Sequence, residues 1–254
     1  MKNKSEELKK LVIAEFGSPK TIESYTKAIE IGLWESERQL IEKYFDKQET
    51  ILDVGCGTGR TTLALKASGY DVLGIDLVPA MIETAQKISE IRQVNILYEV
   101  GDATSLKFPN ESFKNILFSF NGITQIPGGE NRIKAIQEIY RVLKPGGHFI
   151  FTAHIRRYFG IHFFTWIKEF TKHYFIKYLG FDLGGMEFGD ILFTRRSATQ
   201  YAEKQFIHIS SIKEVKEMIE EAGFQIVYSE YRNSISAEDA KMQSGNCRFF
   251  VCRK

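Results

Sequence analysis

The sequence predicts an α/β protein: a doubly wound, mainly parallel sheet of seven strands, with helices on both faces and a segment inserted after strand five. Three observations predict it. Short apolar runs alternate with amphipathic runs from residue 51 to residue 154, an order that calls for parallel strands joined by crossover helices. The first apolar run ends in a loop, GCGTG, with glycine at every second position. Two more apolar runs, QIVYSEY and CRFFVC, close the chain after a further amphipathic stretch and bring the strands to seven.

The chain divides into an N-terminal helical segment (1–48), a core (49–154), an inserted segment (155–209) and a closing helix with two strands (210–254). Residues 20–45 place Ile22, Tyr25, Ile29, Leu33, Leu40, Ile41 and Tyr44 at roughly helical spacing. ILDV (51–54) is the first strand, RTTLALKAS a helix closed by Gly69, and YDVLGID the second strand. PAMIETAQKISEIR is a helix with Pro79 placed for its first turn. VNILYEV and KNILFSF are strands three and four. NRIKAIQEIYRVL is an amphipathic helix stopped by KPGG, and HFIFTAH is strand five. SSIKEVKEMIEEAGF is a helix ended by Gly223, and the last two strands are expected as an antiparallel edge pair.

A chain of 254 residues, 43% apolar and 26% charged, can bury a sizeable core without staples. A formal net charge of +2 argues against a dedicated nucleic-acid binder. Cys56, Cys247 and Cys252 are few and odd in number, the usage of a reducing compartment. The N-terminus has no apolar run long enough for a signal peptide or anchor, and a cytoplasmic protein is expected.

In such a sheet, ligands sit beyond the carboxyl ends of the strands. Gly55, Gly57 and Gly59 lack side chains, so backbone N–H groups there can approach a ligand closely. The spacing is G-x-G-x-G, with the third glycine one position early for a dinucleotide fingerprint, and no Gly-Lys-Ser/Thr follows for a P-loop. Asp53, two residues before the first glycine, would repel a pyrophosphate and attract a cation. A cofactor carrying an ammonium and a sulfonium fits this loop.

Here the chain resembles the class I S-adenosylmethionine-dependent methyltransferases. ILDVGCGTGR looks like their first motif and GIDLVPAMI like the second; GDATSLKFPNESFKNILFSF resembles the third region, and RVLKPGGHFIF the segment around strand five. The resemblance implies a Rossmann-like methyltransferase fold and S-adenosylmethionine as cofactor. It implies Asp53, Gly55, Cys56, Gly57 and Gly59 around the loop, Asp76 on the ribose hydroxyls, and Leu77 on the adenine. Asp102 and the Ala103 backbone would meet the adenine edge, and the backbone near Phe120 the methionine end.

Marks of several subclasses are missing. After strand four the chain reads SFNGI rather than an N/D-P-P-Y/F/W motif, and residues 115–127 contain no glutamate to hold a guanidinium. AHIRR offers no acid after strand five for metal-assisted catechol chemistry, and no metal-ligand spacing is seen elsewhere. The small-molecule branch matches best. His154, directly after strand five, is the candidate general base; its alternative is a histidine hydrogen-bonded at a strand end. Asn121 either orients a substrate or caps a turn, and His208 reads as structural.

The stretch 158–181 is dense in aromatics, with Phe159, Phe163, Trp166, Phe170, Tyr174 and Tyr178 near helical spacing and Lys168, Lys172 and Lys177 elsewhere on the wheel. FGDILFTRR and KQFIHIS read as a hairpin. The expectation is a lid over the acceptor; a second small core, an oligomer contact or a face resting on a membrane surface stay open beside it. Competing functions are a cofactor-binding module without catalysis and a nicotinamide oxidoreductase.

Overall fold

The strands are β1 (Ile51–Val54), β2 (Val72–Asp76), β3 (Leu97–Val100), β4 (Phe113–Phe118), β5 (Leu143–His154), β6 (Asp190–Thr194), β7 (Lys204–His208), β8 (Gln225–Tyr231) and β9 (Cys247–Arg253). They are seen in a computed structural model that describes residues 2–158, 163–176, 178–179, 186–194, 204–241 and 247–254. Seven form one sheet in the order β3-β2-β1-β4-β5-β9-β8, and β6 pairs with β7 in a separate hairpin. β1 to β5 are mutually parallel; β9 runs antiparallel to both β5 and β8. The order reverses between β1 and β4, and the crevice there is where a ligand is expected.

The helices are α1 (Lys2–Phe16), α2 (Pro19–Ala28), α3 (Glu35–Tyr44), α4 (Arg60–Ala67), α5 (Pro79–Ile91), α6 (Gly129–Val142), α7 (Phe163–Phe170), α8 (Ile212–Glu221) and the short α9 (Arg232–Ile235). Strand alternation divides the core between two faces. Leu52, Val54, Ile116, Phe149, Phe151 and Phe250 meet Ala135, Ile136 and Ile139 of α6 and Val215 and Ile219 of α8. Ile51, Leu117, Ile150, Phe249 and Val251 point the other way, onto Leu40 and Ile41 of α3 and Leu65 of α4.

Two expectations need correction. The single helical stretch over 20–45 is broken at Gly32 (φ +66°) into α2, a 3-10 turn and α3. The first turn of α3 is capped from the far end of the chain, where Asp239 accepts from Ser36 N at 2.8 Å and Ser36 Oγ at 2.5 Å. The second concerns KPGG, which stops α6 but lies inside β5, with the register against β4 shifting between Phe113 and Asn115. The closing strands form the expected antiparallel pair at the edge of the sheet: β9 is buried along nearly its whole length between β5 and β8, and β8 is the outermost strand.

Candidate active site

The carboxyl ends of β1, β2 and β4 open into a cleft of about 1320 Å³. Its floor is made by loops that leave the sheet. Gly55 (φ +66°) could not carry a Cβ, which would come within 2.8 Å of the Phe118 ring; at Gly59 (φ +97°) it would meet the Tyr98 hydroxyl at 2.8 Å. Asp76 ends β2. Its Oδ2 accepts from Gly57 N and its Oδ1 from Val78 N, each at 2.9 Å. One lone pair on each oxygen remains for a ligand. Burial raises this carboxyl above the usual range, with the two backbone donors opposing the shift.

Asp102, after β3, is held by Thr104, whose N and Oγ1 donate to Oδ1 at 2.9 and 2.8 Å. Its Oδ2 accepts from Lys9 Nζ at 2.6 Å. Burial pushes the Asp102 carboxyl up, but the bonds from Lys9 and Thr104 outweigh it and hold it low. Leu77 and Ala103 line the cleft between these two acids.

Phe120 and Asn121, just past β4, both have left-handed backbone, with φ of 54° and 61°. Two consecutive non-glycine residues there mark a conformation that tertiary contacts must impose. One such contact is Asn121 N donating to Thr152 Oγ1 at 2.7 Å. Thr152 and His154 share a face of β5, and His154 lines the cleft. Asn121 Oδ1 and Gln125 Oε1, on two further lining residues, are buried acceptors with no hydrogen-bond partner.

Behind this turn lies a buried ion pair. Arg60 donates in bidentate fashion to Glu37, both bonds 2.8 Å, and to Gly32 O at 2.6 Å. Glu37, fully buried, also accepts from Trp34 N at 2.9 Å and from Ser119 Oγ. The guanidinium groups of Arg60 and Arg232 each lie 4.7 Å from the Trp34 ring, and Trp34 lies 5.2 Å from Phe120. Tyr25 packs edge-on against Phe120 at 5.7 Å.

The roof comes from outside the sheet. Leu8 and Val12 of α1 pack with Phe206 of β7. Ser5 donates to Pro127 O at 2.9 Å and accepts from Asn131 Nδ2 at 2.7 Å, tying α1 to the start of α6. Lys9, Phe16, Tyr25, Phe193, Phe206 and Ile207 line the cleft from above.

Sequence reasoning placed Gly55, Gly57, Asp76, Leu77, Asp102, Ala103, Phe120 and His154 at this site, and the structure brings all eight to the cleft. It places Asp53, Cys56 and Gly59 beneath the glycine loop rather than on its lining. The Asp53 carboxyl accepts from Thr61 Oγ1 at 2.5 Å, and burial pushes it up to about 7. It is buried and stands off the surface of the cleft rather than facing it. Burial likewise raises the Cys56 thiol, with Asp53 and Asp76 adding to it, so it stays a thiol. The expected hairpin is present as β6 and β7. Of the inserted segment, the hairpin residues Phe193 and Gln205–Ile207 reach the cleft, while the described aromatics of α7 are absent from its lining. Phe159 and Lys177 lie outside the described residues. His208 is structural, its Nδ1 2.7 Å from Asp190 Oδ1 across the hairpin. Glu187 stands near this pair, but its carboxylate is taken by Gly129 N and Arg132.

Lys9, Trp34, Glu37, Arg60 and Arg232 were missed. Only α1 left a usable signal, since Leu8, Leu11, Val12 and Glu15 recur at helical spacing. Trp34 and Glu37 are three residues apart, but Arg60 and Arg232 join them only across more than twenty residues.

Residues 51–147 match the family model of a methyltransferase domain. A demethylmenaquinone methyltransferase of Thermus thermophilus is 31% identical over 183 residues, covering 70% of this chain and 75% of the relative. The chain belongs to the class I S-adenosylmethionine-dependent methyltransferases. A ubiquinone/menaquinone biosynthesis C-methyltransferase of Rickettsia bellii is 30% identical, covering 79% of this methyltransferase and 77% of the relative. The fold is shared with a solved methyltransferase from Methanosarcina mazei (TM-score 0.68, 24% identity, 88% of this chain and 98% of that one). It is also shared with the [4+2]-cyclase SpnF (TM-score 0.59, 19% identity, 85% and 79%). Membership sets the nicotinamide oxidoreductase aside, and the methyltransferase family implies S-adenosylmethionine as cofactor. The floor fits that group. Asp76 keeps two acceptor positions for ribose hydroxyls, and Asn121 and Gln125 offer buried acceptors suited to a ligand with donors. Among the described residues, no helix is long and apolar enough to cross a membrane.

Proposed function

We propose that this methyltransferase acts on a small acceptor with a hydroxylated aromatic ring, of the quinol class. The observation that carries the reading is an aromatic-walled cleft in a chain about one-third identical to demethylmenaquinone methyltransferases. Its volume of about 1320 Å³ exceeds the roughly 300–1,000 Å³ of a single-ligand pocket and leaves room for a second ring system.

Asp76 holds the ribose, and Asp102 with the Ala103 backbone holds the adenine edge. Bound S-adenosylmethionine supplies an electrophilic methyl group on a sulfonium. Phe16, Tyr25, Phe120, Phe193 and Phe206 wall the other part of the cleft, exclude water and stack on a flat ring. His154 takes the proton of the acceptor hydroxyl, which sends electron density into the ring; the ring carbon would take the methyl as the bond from sulfur to it breaks, then lose its own proton while the oxygen regains one. Asn121 and Gln125 orient that hydroxyl or the ammonium of the cofactor. The roof of α1 and the β6–β7 hairpin acts as the lid, lifting for exchange and closing for transfer.

The test is S-adenosylhomocysteine release with a panel of reduced naphthoquinols and benzoquinols, catechols, aliphatic amines and thiols. Turnover on the quinols well above the rest is expected. Turnover confined to amines or thiols overturns the acceptor class. Cofactor binding with no turnover on any acceptor favours a binding role for this member of the family.

A further inference from the structure

Helix α7 and the turn of π-helix that follows it (Thr171–Ile176) bury little of what they carry. Among their described side chains, Trp166 alone is buried. Its ring lies 5.2 Å from the Arg156 guanidinium and 6.2 Å from Phe188, and this fixes which side of α7 faces the protein. Away from it, Phe164 is 80% exposed, Ile167 47% and Phe175 63%; Phe170, on the side of Trp166, is still 57% exposed, and Tyr178 and Leu179, just past the π-turn, are 85% and 59% exposed. Isolated exposed apolar side chains are ordinary; so many between residues 164 and 179 are not. The cleft does not use them, because none of the six lines it.

We propose that this face is a docking surface for an anionic phospholipid membrane. Charge selects that occupant over a second copy of the chain. Between Phe163 and Ile176 the element carries Lys168 and Lys172, both exposed, against one acid, Glu169, whose carboxylate is 3.8 Å from Lys172. Aromatic rings with lysines at their border form an interfacial helix: the rings enter the acyl boundary and the ammonium groups stay at the anionic headgroups. Tyr174 on this element and Tyr178 just after it place exposed phenol groups there, and an amphipathic ring is suited to the headgroup level. A self-complementary contact would instead bring these lysines toward their own copies across a two-fold axis.

The surface is coupled to the cleft. Phe188, which packs against Trp166, Phe170 and Tyr174, is five residues before Phe193 in the cleft wall, about 18 Å of chain at most. Leu192, between them, is 41% exposed. A membrane seated on α7 therefore brings an apolar phase to the hairpin that roofs the acceptor side, and an apolar acceptor can enter without crossing bulk water. The surface itself does not depend on which acceptor is used.

The experiment is cosedimentation of the full chain with vesicles of equal parts phosphatidylcholine and phosphatidylglycerol, beside vesicles of phosphatidylcholine alone, without acceptor. Wild type is expected to partition onto the anionic vesicles and to be released by salt. The pair Phe164→Ser with Phe175→Ser should lower partitioning at least about tenfold, with S-adenosylmethionine affinity unchanged. The exposed pair Lys168→Glu with Lys172→Glu, which removes no packing, should lower it about thirtyfold or more and abolish its salt dependence. The proposal is overturned if wild type fails to bind at low salt, or if the lysine pair binds as wild type does. It is overturned equally if light scattering shows a dimer that the aromatic pair dissolves, since a second copy then covers the face. Vesicle binding and acceptor turnover are separate readouts, so failure of one leaves the other standing.

Discussion

On the floor of the cleft, Asp76 is held by backbone groups 2 and 19 residues away, and Asp102 by Thr104 two residues on. In the roof and behind it, Lys9 reaches Asp102 across 93 residues, and Ser119 reaches Glu37 across 82. The floor is local chemistry at strand ends; the roof is an assembly of distant segments. The floor can therefore be rigid while the roof moves, because opening α1 breaks side-chain contacts and leaves every ladder of the sheet intact. The roof is also where members of a fold can differ, since changing it does not disturb the acids at the strand ends.

The sharpest test of that division is His154, at the border between the two. His154→Ala should lower turnover by about 10²–10⁴ on a hydroxyl acceptor and leave cofactor affinity nearly alone. Steady-state kinetics paired with calorimetry reads both, and wild-type turnover at neutral pH would return His154 to a structural role. Next in size is the buried pair behind the Phe120 turn. Glu37→Ala strands the Arg60 guanidinium in the interior and should cost about 3–5 kcal/mol of stability in urea unfolding. An intact protein with a normal unfolding midpoint would mean that the network is dispensable.

Asp53 gives a pH test. Its folded pKa, about 7, lies above its unfolded value, so the folded state holds the proton that the unfolded state has released. Stability from this group is therefore lost as pH rises from about 4 to about 7, by on the order of 3 kcal/mol. Asp53→Asn keeps an acceptor for Thr61 and removes the titration. Its melting temperature should fall less than that of wild type between pH 5 and pH 8, and equal slopes would show that Asp53 ionises normally.

Asp76→Ala removes a charged acceptor of two hydroxyls, costing about 2–3 kcal/mol, or about 30- to 150-fold in cofactor affinity by calorimetry. Lys9→Met should do far less. The Lys9–Asp102 pair is about a quarter exposed on both sides, so its loss should cost under about 1 kcal/mol. The amides of α1 should exchange faster with little change in cofactor affinity. A loss comparable to that of Asp76→Ala would join roof and floor into one unit and break the comparison.

The legibility of the two regions in sequence follows from the same difference. ILDVGCGTGR and GIDLVPAMI could be read because strand, turn and acid stand within a few residues of one another, so spacing alone sets their geometry. The aromatic stretch 158–181 was read correctly as unusual and only partly as to place. Apolar spacing shows that a face exists but not what it faces, and in the structure the hairpin reaches the cleft while α7 does not.

The sequence by itself determined the parallel core and the glycine loop, since each depends on contacts short in sequence or on a period of two or 3.6 residues; Asp76 and Asp102 came from the resemblance of their motifs to the family, and the structure brings both, with His154, to the cleft. Only the tertiary structure decided that Asp53 sits beneath the loop, its carboxyl pushed up by burial, rather than at its mouth. It alone placed Glu37 and Arg60 behind Phe120, and closed α1 over Asp102 through Lys9. Burial and long-range pairing set those outcomes, because the desolvation of a carboxylate and the partner of a lysine depend on which distant segments the fold brings together.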